Sequence, residues 1–100
     1  MHTQNMVHRD IKLENLMCTK VDTQDFNIKL TDFGFAAPPD MQSIMNLTLG
    51  TPTYMAPELC REDPYDERVD SWSVGIVAYY LIAGEAPFYG DARDEIMYQI

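Results

Sequence analysis

The sequence predicts a mainly α-helical fold that carries one small β-hairpin near its amino terminus. Residues 67–83 contain the longest apolar run, and Gly84 follows as a stop signal for a helix. Two segments, 13–18 and 26–31, alternate between apolar and polar residues on either side of a polar turn, as paired strands do. With 100 residues, the chain amounts to one domain at most.

The remaining elements are short and are separated by glycine and proline. Gly34 is free to adopt a backbone angle that a residue with a Cβ atom resists. Pro57 suits the first position of a short helix that continues over residues 58–60. A last amphipathic helix is expected over 91–100. The long helix has almost no polar face in its second half, so we expect a core helix buried on all sides.

Composition and charge exclude several classes of function. The formal net charge of -9 argues against binding to nucleic acid or anionic membranes, because both need a basic surface. The longest apolar run is also shorter than the ~18 residues of a membrane span. Cys18 and Cys60 lack the paired spacing of a zinc site or a disulfide framework. The amino terminus has no apolar signal-peptide core, so we expect a cytoplasmic or nuclear protein.

Residues 8–15, here called the polar loop, hold the densest hydrogen-bonding chemistry of the chain. An Asp that accepts a hydroxyl proton, a Lys beside a transferring phosphate and an Asn that binds a metal ion would make a phosphoryl-transfer site. Asp10, Lys12 and Asn15 are residues of these types. On spacing alone, a solvated polar loop is an equally good interpretation, because short motifs match by chance.

Four motifs in one order decide between these interpretations. They are the polar loop, Asp32-Phe33-Gly34, Ala56-Pro57-Glu58 and residues 70–75. In this order they make the whole chain resemble the carboxy-terminal lobe of a eukaryotic protein kinase. The resemblance implies a protein kinase-like fold in which residues 1–100 form part of the kinase domain, with an activation segment at 32–58. Residues 74–88 look most like the calcium/calmodulin-dependent group.

The resemblance also implies an activity and its central residues. Lys12, two residues after Asp10, is the pattern of serine/threonine kinases, which transfer the γ-phosphate of ATP to protein substrates. Asp10 would orient the substrate hydroxyl and accept its proton, with Lys12 beside the transferring phosphate. Asn15 and Asp32 match the two positions that bind Mg²⁺ through hard oxygen ligands. Thr51 resembles the residue that hydrogen-bonds Asp10 and Lys12.

Further positions match the supporting parts of the family's site. His8 and Phe33 match the apolar stacking positions that link the two lobes, and Gly34 completes that motif. Met17 matches a position beneath the adenine ring of ATP, which is compatible with an ordinary core role. Glu58 matches a residue that pairs with an Arg much further along a kinase chain.

Two further positions bear on how the loop is held and controlled. Asp70 is either a partner of the helix N-terminal dipole or the acceptor of backbone hydrogens from the turn at His8 and Arg9. We favour the second interpretation. Arg9 suggests control by phosphorylation, because an Arg there would pair with a new phosphate. Thr48 is the first expected acceptor and Ser43 the next.

Some features bear on substrates and on the alternatives. Glu14 matches a position that selects Arg, which implies protein substrates with basic residues near the phosphoacceptor. Leu47 stands at the family's usual phosphoacceptor position, which counts against control by phosphorylation. The chain lacks the Gly-rich phosphate loop and strand lysine of a kinase, so we expect the isolated chain to have negligible activity and doubtful stability. The competing hypothesis is a truncated, non-catalytic kinase that acts as a binding or decoy module. The oligomeric state is not indicated.

Overall fold

The computed structural model describes residues 1–19, 27–39 and 51–100. These ranges contain two strands, three α-helices and three short 3-10 turns. The strands are β1 (Leu16–Cys18) and β2 (Ile28–Leu30), the helices are α1 (Pro57–Cys60), α2 (Arg68–Ala83) and α3 (Arg93–Gln99), and the turns are His2–Gln4, Leu13–Asn15 and Pro52–Tyr54. No helix within the described ranges is long and apolar enough to cross a membrane.

The predicted β-hairpin is confirmed, although its first strand is shorter than expected. Strands β1 and β2 pair antiparallel, with Leu16 opposite Leu30 and Cys18 opposite Ile28. The expectation that the first strand begins at residue 13 is wrong, because Leu13–Asn15 is a 3-10 turn. The turn closes through a 3.0 Å bond from the Asn15 backbone N–H to the Lys12 carbonyl, which curls the chain back toward the polar loop.

Helix α2 is the longest element of the described ranges. It begins at Arg68 and ends at Ala83, and it is followed by the cap residue Gly84, whose φ of 79° is left-handed. The Gly84 N–H donates to the Tyr80 carbonyl at 2.9 Å, which satisfies a carbonyl that the helix end would leave unpaired.

The apolar surface of α2 is buried on one side only. Val69, Ile76 and Val77 are buried, whereas Leu81 is 67% exposed and Ile82 is 88% exposed. The expectation of a helix buried on all sides therefore differs from the structure. Within the described ranges, α2 has its main packing contact with the Pro52–Tyr54 turn, and this turn covers one face.

A small core joins the polar loop to α1 and α2. Its fully buried members come from the start of the loop, the segment before α1, α1 itself and the first turn of α2, and half-buried side chains pack against them. The buried members are Val7, Met55, Ala56, Leu59 and Val69, and the half-buried ones are Cys60, Tyr65 and Trp72. The polar loop thus starts from a fixed point, because Val7 is anchored in this core and its backbone pairs with Ala37.

Candidate active site

The polar loop is fastened to α2 by the carboxylate of Asp70. This carboxylate accepts the backbone N–H of His8 at 2.8 Å and that of Arg9 at 2.9 Å. His2 places its Nε2 2.8 Å from the same carboxylate. Asp70 is only 2% exposed, so these partners replace the water that the charge loses on burial. The favoured interpretation of Asp70 was that it accepts backbone hydrogens from the turn at His8 and Arg9, and the structure contains these hydrogen bonds.

Arg9 lies in a strained backbone conformation. Its φ of 66° falls in the left-handed region, which costs a residue with a Cβ atom about 1–2 kcal/mol. The charged hydrogen bond that its N–H donates to the Asp70 carboxylate offsets this cost. The strain turns the chain sharply between His8 and Asp10, so that the side chains on either side of Arg9 enter the interior.

His8 is completely buried and links the polar loop to the segment after β2. Its Nδ1 accepts the Asp10 N–H at 3.3 Å, and its Nε2 lies 3.2 Å from the Thr31 carbonyl. One neutral tautomer, with its hydrogen on Nε2, satisfies both contacts. Phe33 meets the ring edge-to-face at a centroid distance of 5.1 Å. The two predicted stacking residues are thus brought together.

The Asp10 carboxylate is held by Lys12 and Asn15 of the same loop. Lys12 Nζ lies 2.9 Å from Asp10 Oδ2 and 3.2 Å from Oδ1. Asn15 Nδ2 donates to Asp10 Oδ2 at 3.1 Å and to the Asp10 carbonyl at 2.8 Å. Asp10 is only 6% exposed, so its carboxylate has one orientation and is not a solvated surface charge.

The electrostatics of the site keep Lys12 charged. Its hydrogen bond to Asp10 raises the Lys12 pKa above the ordinary 10.5, burial opposes this, and the negative charges of Asp10, Glu14 and Asp32 add to the rise. The ammonium is therefore protonated at neutral pH. Asp32 follows Thr31, whose backbone N–H and hydroxyl donate to the Asn15 carbonyl at 2.9 and 3.0 Å and so hold this segment against the polar loop.

Asn15 and Asp32 present oxygen atoms that suit Mg²⁺. Both groups that Asn15 faces on Asp10 are acceptors, so its amide nitrogen must point toward them and its amide oxygen remains for a cation. Asp32 is exposed. The described ranges contain no group of three His, Cys, Asp or Glu that could hold a metal ion alone. This donor set fits an ion whose other ligands are phosphate oxygens and water, as is usual for Mg²⁺.

The role expected for the Gly34 backbone is wrong. Gly34 is not among the residues with a positive φ, whereas Asp32, two residues earlier, has a φ of 60°. Asp32 Oδ1 accepts the Gly34 N–H at 3.2 Å, and a Cβ atom on Gly34 would meet that oxygen at 3.2 Å. A Cβ atom on Gly34 would thus be tight against this carboxylate, which would have to shift by a few tenths of an ångström, and Asp tolerates the left-handed position because of its local hydrogen bond.

The expected hydrogen bonds from Thr51 are not formed. Thr51 lines the same narrow cleft as Asp10. However, no hydrogen bond between described residues joins its hydroxyl to Asp10 or Lys12. Lys12 and Asn15 already occupy the near side of the carboxylate, so Thr51 is adjacent to the pair without bonding to it.

The other predicted residues lie around this centre. Met17 is 56% exposed on β1, so it is not a core residue of the described structure. Glu14 is exposed, and Glu58 is half-buried at the start of α1 with no ion pair to another described residue. Ser43 and Thr48 lie outside the described residues.

Sequence reasoning missed two residues that help to hold the polar loop, His2 and Tyr65. His2 reaches Asp70 across 68 positions of sequence, and the Tyr65 hydroxyl accepts a 3.1 Å hydrogen bond from Arg9 Nη1 across 56 positions. No local pattern reports such long-range contacts. The basic character of His2 and Arg9 was the available signal, and it did not identify their partners, Asp70 and Tyr65.

The arrangement is one that suits phosphoryl transfer, and comparison with known proteins agrees. Residues 1–100 match the protein kinase domain family. The chain is 39% identical over 100 residues to a probable myosin light chain kinase of Dictyostelium discoideum, covering 100% of this chain and 26% of that protein. It is 41% identical over 100 residues to calcium/calmodulin-dependent protein kinase type 1 of Caenorhabditis elegans, covering 100% and 28%. Against serine/threonine-protein kinase 33 of Bos taurus it is 39% identical over 103 residues, covering 96% and 21%.

The chain belongs to the eukaryotic serine/threonine protein kinase family. It spans about a quarter of the length of these curated relatives.

Proposed function

We propose that this chain is the catalytic-loop portion of a protein kinase that transfers the γ-phosphate of ATP to Ser or Thr of protein substrates. The observation that carries the proposal is the Asp10 carboxylate, which is buried, bonded by Lys12 and Asn15, and fixed to α2 through Asp70. A solvated surface loop would not need this buried network. In the proposed enzyme, residues 1–100 form part of the carboxy-terminal lobe.

Asp10 acts on the substrate hydroxyl. Its fixed carboxylate accepts the hydroxyl hydrogen and so directs the oxygen toward phosphorus. Lys12, whose ammonium stays protonated, lies next to Asp10 and offsets negative charge on the phosphate as it transfers. Phosphoryl transfer requires mainly positioning and charge neutralisation, so these side chains suffice on this side of the site.

Asn15 and Asp32 hold Mg²⁺ in this proposal, through an amide oxygen and a carboxylate. The bound ion neutralises charge on the ATP phosphates. Met17 is exposed on β1, where it is paired with Lys29 of β2. Its side chain offers an apolar surface for the adenine ring. Exposed Glu14 supports a preference for substrates with basic residues near the phosphoacceptor.

The test transplants residues 1–100 into a longer relative. They replace the matching segment of the Caenorhabditis elegans kinase, which is 41% identical over the same length. Transfer from Mg²⁺-ATP is then measured with three basic peptides that differ only in a Ser, Thr or Tyr acceptor. We expect phosphate on Ser and Thr but not on Tyr, and an Asp10→Asn substitution to lower kcat by about 10²–10⁴-fold.

An Asp63→Asn substitution is the matched control, because Asp63 is exposed and makes only a backbone bond to Glu58 in the described structure. An active chimera that is indifferent to Asp10→Asn would refute the proposed role. An inactive chimera that still binds the basic peptides would favour the decoy hypothesis. We expect the 100-residue chain alone to transfer no phosphate.

A further inference from the structure

The Arg9 side chain joins three separate segments. Its Nε donates to the Phe35 carbonyl at 2.6 Å, just after Asp32-Phe33-Gly34, and its Nη1 donates to the Tyr65 hydroxyl at 3.1 Å. Its own backbone N–H is bound by Asp70. Arg9 therefore ties the polar loop to the segment after Asp32 and to the connection that leads into α2.

Tyr65 is built to present its hydroxyl at this point. Its half-buried ring packs against the core of Val7, Leu59 and Val69. A phenylalanine ring would bury the same apolar surface, so the packing alone does not require tyrosine. The distinct contribution of tyrosine is the oxygen that accepts from Arg9.

Neutral oxygens hold the Arg9 cation in this arrangement. The ion pairs between described residues are His2 with Asp70, Lys12 with Asp10 and Arg68 with Asp66, and none of them uses the Arg9 guanidinium. The Phe35 carbonyl and the Tyr65 hydroxyl instead accept from two different nitrogens of the planar guanidinium group, which suits its rigid donor geometry. The strained Arg9 backbone is thus held from both its N–H and its side chain.

We propose that the Tyr65 hydroxyl is a positioning group that holds Arg9, and through it Asp10, in the transfer-ready arrangement. Tyr65 does not touch the reacting atoms. It acts on the residue immediately before Asp10 and on the segment that follows Asp32, and thereby aligns the two sides of the site. This inference rests on the proposed kinase function for its consequence, although the contact itself can be tested without ATP.

The first experiment measures hydrogen exchange of the Arg9 Nη1–H, the group that donates to Tyr65, by NMR in the 100-residue chain, after mass spectrometry has shown that it carries no phosphate. Tyr65→Phe removes one oxygen and keeps the ring. Loss of a hydrogen bond to a charged group should speed this exchange about ten-fold or more. Tyr79→Phe, an exposed tyrosine of α2 outside the site, should leave the exchange unchanged.

The second experiment measures kinetics in the active chimera. Tyr65→Phe should lower kcat and leave the KM for peptide unchanged, because substrate contacts are intact. In an Arg9→Lys background, Tyr65→Phe should have no further effect, because the guanidinium group through which Tyr65 acts is absent.

Three outcomes would overturn the inference. They are unchanged Nη1–H exchange in Tyr65→Phe, an undiminished effect of Tyr65→Phe in the Arg9→Lys background, and loss of cooperative unfolding in Tyr65→Phe, which would make the hydroxyl a general structural requirement. An inactive chimera would instead refute the kinase proposal and leave the exchange result to decide whether Tyr65 holds Arg9.

Discussion

Asp70 is the residue on which the geometry of the polar loop most depends, and Asp70→Asn tests this. An amide has one acceptor oxygen, so its NH₂ group would face a donor among His2, His8 and Arg9. We expect the free energy of unfolding to fall by about 1–3 kcal/mol, the cost of leaving a buried polar group unpaired. Urea denaturation followed by tryptophan fluorescence measures the change.

The control for this prediction is Asp63→Asn, an amide substitution at an exposed residue. It should leave the urea midpoint unchanged. If Asp70→Asn had the same negligible effect, the carboxylate would not be what holds the loop on α2.

The two cysteines should differ in reactivity. Burial raises the Cys60 pKa above the ordinary 9.0, and the positive charges of Arg93 and Arg61 offset this only in part. Because the thiolate is the nucleophile, iodoacetamide at pH 8 should label exposed Cys18 first and Cys60 slowly. Mass spectrometry over time measures both rates.

The same shift makes stability depend on pH. The folded chain keeps the Cys60 proton at a pH where the unfolded chain has begun to lose it. The stabilising contribution of Cys60 is therefore complete below pH 9.0 and is lost as the pH rises toward the higher folded value.

The labelling experiment has its own contradicting outcome. Equal labelling rates for the two cysteines in the native chain, as expected only in denaturant, would contradict the burial of Cys60.

Local chemistry could be predicted from the sequence at this scale, and distant partners could not. Asp10, Lys12 and Asn15 lie within six positions, so their spacing reports that they share one turn. His2 contacts Asp70, and Tyr65 contacts Arg9, through tertiary packing, which no short spacing encodes. The left-handed backbone angle lies at Asp32 and not at Gly34. The sequence did not indicate this, because the hydrogen bond that makes the angle tolerable for Asp depends on the local fold.

Two glycines in and beside α2 give a matched test at the scale of elements. Gly84 has a left-handed φ of 79°, so Gly84→Ala should lower the free energy of unfolding by about 1 kcal/mol. A Cβ atom on Gly75, inside α2, would meet nothing within 4 Å. Gly75→Ala should therefore raise stability by about 0.5–1 kcal/mol, through a more restricted unfolded chain.

Thermal unfolding monitored by circular dichroism measures both variants. A destabilising Gly75→Ala would mean that this face of α2 is covered, and a neutral Gly84→Ala would mean that the helix does not end as described.

Helices and the hairpin were predictable because apolar residues recur periodically within them and because proline or glycine marks several of their ends. The start of α1 at Pro57 and the end of α2 at Gly84 follow from proline and glycine chemistry. The beginning of β1 was not predictable, since residues 13–18 alternate only roughly between apolar and polar side chains. The side chain of Asn15 binds back to Asp10 and favours a turn there.

At the scale of the whole molecule, half of α2 has an apolar surface that the described residues do not cover. Tyr79, Leu81 and Ile82 are all exposed. Periodicity predicted the apolar character of this helix correctly, but burial depends on neighbours, which periodicity does not supply. The polar loop does not depend on this half of α2, because Asp70 and the small core lie in its first half.

The central claim is that the polar loop and Asp32 form one phosphoryl-transfer site. Its most direct test is a Mg²⁺ titration of phosphate transfer by the chimera carrying Asp10→Asn, Asp32→Asn or the Asp63→Asn control. We predict that Asp10→Asn lowers kcat at saturating Mg²⁺ without changing the half-maximal Mg²⁺ concentration. Asp32→Asn should raise that concentration about ten-fold or more, as loss of a charged ligand does. Transfer by both variants at the control rate and at the control Mg²⁺ concentration would contradict the claim.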